Sequence, residues 1–180
     1  LEQPADKPEL FTDASGKAVS LADFKGKTVV LEWVNPGCPY VRKHYDSANM
    51  QTTQKGVAGQ GVVWLAVNST AQEHGDYKKP ADMAAWMQSQ KAAATHTLMD
   101  SDGKIGKAYG ARTTPHMYIV DAKGTLAYAG GIDDKPSSNP ADVKTAKNYV
   151  NAALGDVLAG KAVAQAVTRP YGCSVKYGDG

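Results

Sequence analysis

The sequence has little cysteine, no runs of like charge and no long apolar segments, and each scarcity excludes a class of protein. Its two cysteines, Cys38 and Cys173, are too few for a disulfide scaffold and allow one bridge. The net charge is +2 with the signs well mixed, so nucleic acids and anionic membranes are poor candidates for partners. The apolar runs are far too short to span a bilayer.

The rest of the composition is that of an ordinary globular protein, with 42% apolar and 21% charged residues. The length of 180 residues suits one domain, so we expect a single domain over residues 1–180, with a loose arm at 1–9 and a tail at 161–180. Because the sequence begins with Leu rather than Met, we expect that a signal peptide has been removed and that the protein is periplasmic or secreted; a cytoplasmic location stays open. We expect a monomer or a weak dimer.

Apolar runs bounded by turn residues predict the order of the secondary structure. Strands are predicted at residues 28–34, 61–67, 96–100, 117–121 and 125–130, with two short extended pieces within 10–21. Helices are predicted at residues 39–55, 80–90, 104–110 and 141–158, the first ended by Gly56 and the last capped by Asn139 or Asp142. Strand–helix–strand units require parallel neighbours, and the late hairpin adds antiparallel strands. The prediction is an α/β fold with a mixed central sheet and helices on both faces.

Cys38 stands between a turn and the start of a predicted helix, in the stretch Asn35-Pro-Gly-Cys-Pro39. Proline is favoured at the first helical position, which makes Cys38 the N-cap. Free N–H groups and the helix dipole favour an anion there and lower the pKa of such a thiol from about 8.5, sometimes to between about 3.5 and 7.5. Arg42, one turn further on, adds a cation on roughly the same face. A small buried hydrophobic residue is the alternative, but the turn-and-cap sequence favours a reactive thiol.

Several segments carry a resemblance to a known family. They are KGKTVVLEWVNPGCPYVRKHY with its lead-in FTDASGKAVSLADFKGK, TPHMYIVD at residues 114–121, YAGGIDD at 128–134 and GCSVK at 172–176. Together they resemble the redoxin branch of the thioredoxin superfamily, the alkyl hydroperoxide reductase/thiol-specific antioxidant group, and within it a peroxiredoxin-like subfamily with a single active-region cysteine. The resemblance implies a thioredoxin-like fold and thiol redox chemistry.

The same resemblance implies roles for individual residues. Pro115 corresponds to a cis-proline that lies against the active thiol, and Thr114 offers its backbone to a bound peptide. Pro39 and Tyr40 complete the implied substrate-binding region. Glu32 corresponds to a buried carboxylate, whose pKa burial would raise and which would suit proton transfer; a solvent-facing strand position is the alternative.

The sequence also departs from the patterns of its relatives. Val41 stands where thioredoxins have the second cysteine of C-x-x-C, and Asn35 stands where peroxiredoxins have a threonine. Arg112 is the candidate for the peroxiredoxin arginine, so Arg42 and Arg112 are the two residues expected to stabilise the thiolate. In the resembling subfamily, Cys38 corresponds to the first thioredoxin cysteine rather than to the peroxidatic one.

The second cysteine lies in the turn-rich tail, which could fold back over the active face. Cys173 is then either the resolving thiol for Cys38 or half of a permanent staple, worth roughly 5 kcal/mol by loop closure. Both alternatives predict that the two sulfurs bond.

Three functions follow from these expectations. The first is a thiol–disulfide oxidoreductase with Cys38 as nucleophile and a dithiol or disulfide protein as partner. The second is a thiol peroxidase that reduces a hydroperoxide through a sulfenic acid on Cys38. The third is a binding module pinned by a structural disulfide, which would not be an enzyme. None of the three calls for an organic cofactor, and the spacing of His and Cys residues does not predict a metal site.

Overall fold

The structure is a computed structural model that describes residues 10–178, with side chains described from residue 12 onward. The expected arm at residues 1–9 lies outside the described residues. The strands are β1 (Leu10–Asp13), β2 (Ala18–Ser20), β3 (Val29–Trp33), β4 (Val63–Asn68), β5 (His96–Met99), β6 (Thr113–Thr114), β7 (His116–Val120), β8 (Leu126–Gly130) and β9 (Cys173–Ser174). The α-helices are α1 (Pro39–Asp46), α2 (Asn49–Ala58), α3 (Pro80–Ser89), α4 (Lys104–Tyr109) and α5 (Tyr149–Leu158). Two 3-10 helices span Leu21–Phe24 and Pro140–Lys144.

Seven of the strands form one mixed sheet in the order β2-β1-β5-β4-β3-β7-β8. The β3–β4 and β4–β5 pairs are parallel, whereas the other pairs of this sheet are antiparallel. β3 lies between β4 and β7, and its last residue, Trp33, is followed by the turn that leads to Cys38. The predicted α/β fold with a mixed central sheet is confirmed, and its middle strand points at the candidate site.

Helices cover both faces of the sheet, as predicted. Alternate residues of β3 face opposite sides, with Val30 in one apolar cluster and Leu31 in the other. The first cluster contains buried residues of α1, α2, α3 and α5, and it also contains Cys38. The second is covered by α4 and by the 3-10 helix at Leu21–Phe24. The longest helices within residues 10–178 have ten residues, and none of them could cross a bilayer.

Two predicted helices are each divided in two. The helix expected over 39–55 ends at Asp46, and α2 begins at Asn49 after Ala48, which has φ 62°. The Ser47 hydroxyl accepts a hydrogen bond from the Asn49 N–H, and this kind of local bond competes with the helical ladder. α2 then continues past Gly56 to Ala58, so the predicted end was also wrong.

The helix expected over 141–158 was wrong in its first half. Residues 140–144 form a 3-10 turn capped by Asn139, and α5 has its own cap, because the Asn148 side chain accepts from the Asn151 N–H at 2.9 Å. The predicted hairpin is confirmed, with Gly124 at φ 85° between β7 and β8. That residues 1–180 form one domain stays a prediction.

Candidate active site

Cys38 occupies the N-cap of α1, as its neighbours predicted. Its N–H donates to the Asn35 carbonyl at 3.0 Å, which closes the turn, and Pro39 follows at the first helical position. The Asn35 side chain supports the turn, since its Oδ1 accepts from the Gly37 N–H and its Nδ2 donates to Asp76. The backbone of Cys38 is therefore positioned by local contacts at the end of β3.

The Cys38 sulfur is bonded to Cys173, which confirms the predicted pairing. The two Cα atoms lie 6.1 Å apart across a sequence separation of 135 residues. Cys38 is 1% exposed and belongs to the apolar cluster under α1, whereas Cys173 is half-buried. In the disulfide form, the cysteine that was expected to be a reactive thiol is therefore covered.

The tail covers Cys38 by adding a short strand to the chain segment before Pro115. β9 pairs antiparallel with β6, with Thr114 opposite Cys173 and Thr113 opposite Ser174. The Val175 N–H extends this ladder by donating to the Arg112 carbonyl at 3.0 Å. The backbone edge expected to bind a peptide is thus occupied by this chain's own tail.

Thr114 and Pro115 lie against the disulfide. The Thr114–Pro115 peptide bond is cis, both residues are buried, and the Thr114 carbonyl oxygen is 3.3 Å from the Cys38 sulfur. In this disulfide form the sulfur makes no hydrogen bond to the N–H groups of the first turn of α1, the groups that were expected from the sequence to favour an anion at this position. A reduced Cys38 would therefore have two opposing neighbours: the helix start favours the thiolate, and the carbonyl favours a thiol that donates to it.

The other residues of the implied substrate-binding region border the disulfide. Pro39 is exposed, and Tyr40 is half-buried with its ring edge-on to Tyr171 at 5.8 Å between centroids. A cleft of about 580 Å³ opens on this side of the molecule, lined among others by Thr113, Tyr171 and Gly172. Substrate contacts at these positions stay a prediction.

Glu32 is fully buried, so the sequence-based alternative of a solvent-facing position is wrong. Its carboxyl group accepts hydrogen bonds from the Tyr45 hydroxyl at 2.7 Å, from Trp64 Nε1 at 2.8 Å and from Gln54 Nε2 at 3.3 Å. Burial raises the pKa of Glu32 to about 7, and these three hydrogen bonds oppose the shift. Tyr45 lies seven residues beyond Cys38 on α1, about 10 Å along the helix axis. Glu32 is thus on the disulfide's side of the sheet, but its hydrogen bonds go to other groups.

The two arginines expected to stabilise a thiolate are both exposed. Arg42 lies on the outer surface of α1, and the cation that this helix buries is its neighbour Lys43. The backbone N–H of Arg112 donates to His116 Nδ1 at 3.1 Å. Burial, and to a smaller extent the arginine charge, lowers the pKa of His116 to about 4. A role for either arginine at the sulfur stays a prediction.

Sequence reasoning missed a buried polar cluster beside the disulfide. It consists of Lys43 and His44 on α1, Asp133 after β8, and Tyr171 in the tail, and the first three are each at most 2% exposed. Asp133 lies in one of the segments that carried the family resemblance and Tyr171 directly precedes another, which was the available signal. Nothing in the local pattern connects residues 43 and 171, because they meet only after folding.

The described residues offer no ready metal site. Within residues 10–178, no three or more His, Cys, Asp or Glu side chains are grouped so that they could hold a metal ion.

Comparisons with known proteins agree with this architecture. The AhpC/TSA family matches residues 2–129. A search of the curated proteins found no match. Among solved structures, a hypothetical protein from Sinorhizobium meliloti 1021 is 26% identical with a TM-score of 0.79, and the alignment covers 96% of this chain and 92% of that one. An uncharacterised conserved protein from Geobacillus kaustophilus is 25% identical with a TM-score of 0.81, covering 97% and 90%.

A more distant structure shares the thioredoxin-like fold. A secreted disulfide oxidoreductase from Mycobacterium tuberculosis, described as homologous to Escherichia coli DsbE, is 20% identical with a TM-score of 0.55. The alignment covers 70% of this chain and 84% of that one. At this identity the likeness supports the fold alone.

Proposed function

This chain belongs to the AhpC/TSA family, and from that premise we propose that it is a thiol–disulfide oxidoreductase of the redoxin type. Its Cys38 and Cys173 would alternate between one disulfide and two thiols, with a dithiol or disulfide protein as partner. The observation that carries the proposal is the position of the bond, which joins a cysteine at a helix start to a cysteine on a two-residue tail strand. A bond to a short peripheral strand can open without rearrangement of the central sheet.

The proposed cycle begins with both cysteines reduced and the tail displaced. Cys38, as a thiolate, attacks the disulfide of a partner protein, forms a mixed disulfide and expels one partner sulfur as a thiolate. Cys173 then attacks the Cys38 sulfur, the internal disulfide forms, and the second partner sulfur leaves as a thiolate. The partner gains two electrons and this chain loses two. A second dithiol protein restores the reduced form.

Surrounding residues would support this cycle in different ways. Thr114, Pro115, Pro39 and Tyr40 border the disulfide and would contact the partner once the tail has moved. The hydrogen bonds of Glu32 go to three neutral donors away from the sulfurs. In the proposal Glu32 therefore influences the charge at Cys38 through the field of its carboxylate, which forms near pH 7.

A redox-active pair is also compatible with an extracytoplasmic location, where disulfides persist. We therefore propose a periplasmic or secreted protein. The secreted mycobacterial oxidoreductase of the same fold supports that proposal by analogy.

The reduction potential of the Cys38–Cys173 pair tests the proposed function. The oxidised protein is equilibrated in glutathione and dithiothreitol buffers, and the free thiols are counted by alkylation and mass spectrometry. A potential above about −300 mV, together with reduction of insulin by the reduced protein, is the expected result. A potential well below that value, with no exchange with protein disulfides, would overturn the proposal.

A structural disulfide is the second candidate, because Cys38 is 1% exposed in the bonded form. It predicts the low potential just described. The family match also calls for a test of peroxidase activity, by hydroperoxide consumption and by trapping of a sulfenic acid on Cys38 in a Cys173→Ser variant.

A further inference from the structure

The buried polar cluster beside the disulfide has Tyr171 at its centre. The Tyr171 hydroxyl donates to Asp133 Oδ1 at 2.6 Å and accepts from Lys43 Nζ at 2.9 Å. His44 Nε2 lies 2.9 Å from the same oxygen. A phenol offers one donor and two acceptor lone pairs, so these three contacts use its full capacity.

The hydrogen-bond pattern defines the state of His44. The Tyr171 hydroxyl uses its hydrogen in the hydrogen bond that it donates to Asp133. His44 Nε2 must therefore be protonated and donate the hydrogen bond to the Tyr171 oxygen. Nδ1 is then free to accept from Asn49 Nδ2 at 2.9 Å. Burial and the neighbouring Lys43 cation lower the pKa of His44 to about 3, so the ring is neutral, in agreement with this tautomer.

The buried polar cluster lowers the stability of the closed structure unless the Tyr171 hydroxyl supplies its hydrogen bonds. Lys43 and Asp133 are a buried cation and a buried carboxylate, and such charges require partners when they leave water. Lys43 donates to the Lys135 carbonyl as well, but its second described hydrogen bond goes to Tyr171. Asp133 Oδ1 also accepts from the Lys135 N–H at 3.1 Å, but Oδ2 has no hydrogen-bond partner among the described residues, so Tyr171 is one of only two described donors to this carboxylate.

Tyr171 is two residues before Cys173, and Gly172 between them couples the position of the tyrosine to that of the cysteine. Gly172 has φ 143°, and a Cβ at this position would overlap the Thr114 carbonyl oxygen. The chain therefore passes from Tyr171 directly onto the backbone of β6, where Cys173 pairs with Thr114. A tyrosine docked on α1 thus brings Cys173 to the start of the same helix.

We propose that Tyr171 is a positioning residue for the redox pair, whose docking on Lys43, His44 and Asp133 holds Cys173 against Cys38. This inference rests on the proposed function and goes beyond it, because it assigns control of the disulfide equilibrium to a group that takes no part in sulfur chemistry. When the disulfide forms at the expense of oxidised glutathione, the two thiols lose two electrons and two protons. One internal sulfur–sulfur bond forms, and the glutathione disulfide is cleaved to two thiols.

Docking of Tyr171 raises the effective concentration of Cys173 at Cys38 and so favours the internal bond over the two thiols. Without the hydroxyl, the closed tail leaves Lys43, His44 and Asp133 short of partners, whereas a displaced tail lets water reach them. Removal of the hydroxyl therefore destabilises the oxidised protein with its closed tail, and the equilibrium between disulfide and dithiol moves toward the reduced protein.

A redox titration of matched tyrosine variants tests the inference. Tyr171→Phe is expected to lower the equilibrium constant for disulfide formation against glutathione about tenfold, equivalent to about 30 mV. Tyr177→Phe is the control, since Tyr177 lies on the same tail but its hydroxyl donates to the uncharged Ala111 carbonyl rather than to a charged side chain. Its expected change is less than about threefold.

Urea unfolding of the reduced proteins separates positioning from general stability. If Tyr171 acts as proposed, Tyr171→Phe leaves the reduced protein as stable as the reduced wild type. An equilibrium constant within twofold of wild type, a change no larger than that of Tyr177→Phe, or equal destabilisation of both redox forms would overturn the inference. If Tyr171→Phe does not fold, Lys43→Met should shift the equilibrium in the same direction, and an unchanged equilibrium constant would overturn the inference.

These outcomes differ from those that test the function itself. A very low potential in the wild-type protein contradicts the proposed redox activity. An active wild type whose potential does not respond to Tyr171→Phe contradicts the role of Tyr171 alone.

Discussion

The two segments that carry the sulfurs are held in place by different means. Cys38 follows β3, all five residues of which are buried, and its backbone is defined by a turn and a helix cap a few residues long. Cys173 lies on a tail that has no helix within residues 161–178, and Tyr171 on α1 and Tyr177 on Ala111 hold this tail before and after the cysteine. One sulfur belongs to the core and the other is docked on it, which is the asymmetry expected when one partner of a disulfide has to move.

Removal of the disulfide should produce the largest effect. Cys173→Ser is expected to lower the free energy of unfolding by about 2–5 kcal/mol relative to the oxidised wild type, because the unfolded chain loses a long-range constraint. Urea unfolding with a fluorescence readout measures this. Wild-type protein in excess dithiothreitol should lose a similar amount. If Cys173→Ser were as stable as the oxidised protein, the disulfide would contribute nothing to stability.

In the core, Glu32→Gln should remove a pH dependence of the free energy of unfolding. The pKa of Glu32 is about 7 in the folded protein against 4.5 for the ordinary group, so the folded state holds this proton more tightly. Stability from the protonated group is complete below about pH 4.5 and is lost as the pH rises to about 7, by about 3 kcal/mol in total. Unfolding between pH 4 and 8 should show this fall in the wild type and its loss in Glu32→Gln.

An exposed carboxylate provides the control for that series. Glu73 is on the surface, so Glu73→Gln should keep the wild-type pH dependence. A Glu32→Gln profile that falls with pH as steeply as the wild-type profile would contradict the assignment of the proton to Glu32.

A methyl group added to the docked tail at Gly172 should lower the stability of the oxidised protein by an intermediate amount. Gly172→Ala places a Cβ against the Thr114 carbonyl at a positive φ, so we expect a loss of about 1–3 kcal/mol in the oxidised protein. Gly56→Ala is the matched change within α2, where nothing lies within 4 Å of the new methyl, and it should stabilise by about 0.5–1 kcal/mol. Thermal unfolding of the two variants compares them directly, and equal losses would show that β9 is not closely docked.

The smallest effect is expected from Arg42. Its side chain is exposed, so water and salt screen any interaction with the Cys38 thiolate. In a Cys173→Ser background, Arg42→Ala should change the alkylation rate of Cys38 by less than about threefold. A change of tenfold or more would return Arg42 to the site as a thiolate-stabilising residue.

The accuracy of the sequence-based predictions depends on whether a local signal exists, in the core and in the tail alike. β3, β4, α3 and the hairpin around Gly124 were predicted within a few residues, because apolar runs and turn residues are local signals. The breaks after Asp46 and before Tyr149 were missed, because they depend on side-chain bonds of Ser47 and Asn148 that helix-forming neighbours conceal. The pairing of Cys38 with Cys173 was predicted from the count of two cysteines and from the turn-rich tail, which could fold back over the active face.

The sequence by itself determined the order of the main strands and helices along the chain, the start of α1 at Pro39 and the position of Cys38 at the N-cap of that helix. These features depend on residues within one turn or one strand of each other, where backbone geometry and hydrophobic periodicity act. Only the tertiary structure decided that Cys38 is covered, that Glu32 is buried and that Lys43 and Tyr171 meet across more than a hundred residues. Contacts of that kind depend on how the tail crosses the finished sheet, and no local pattern records that path.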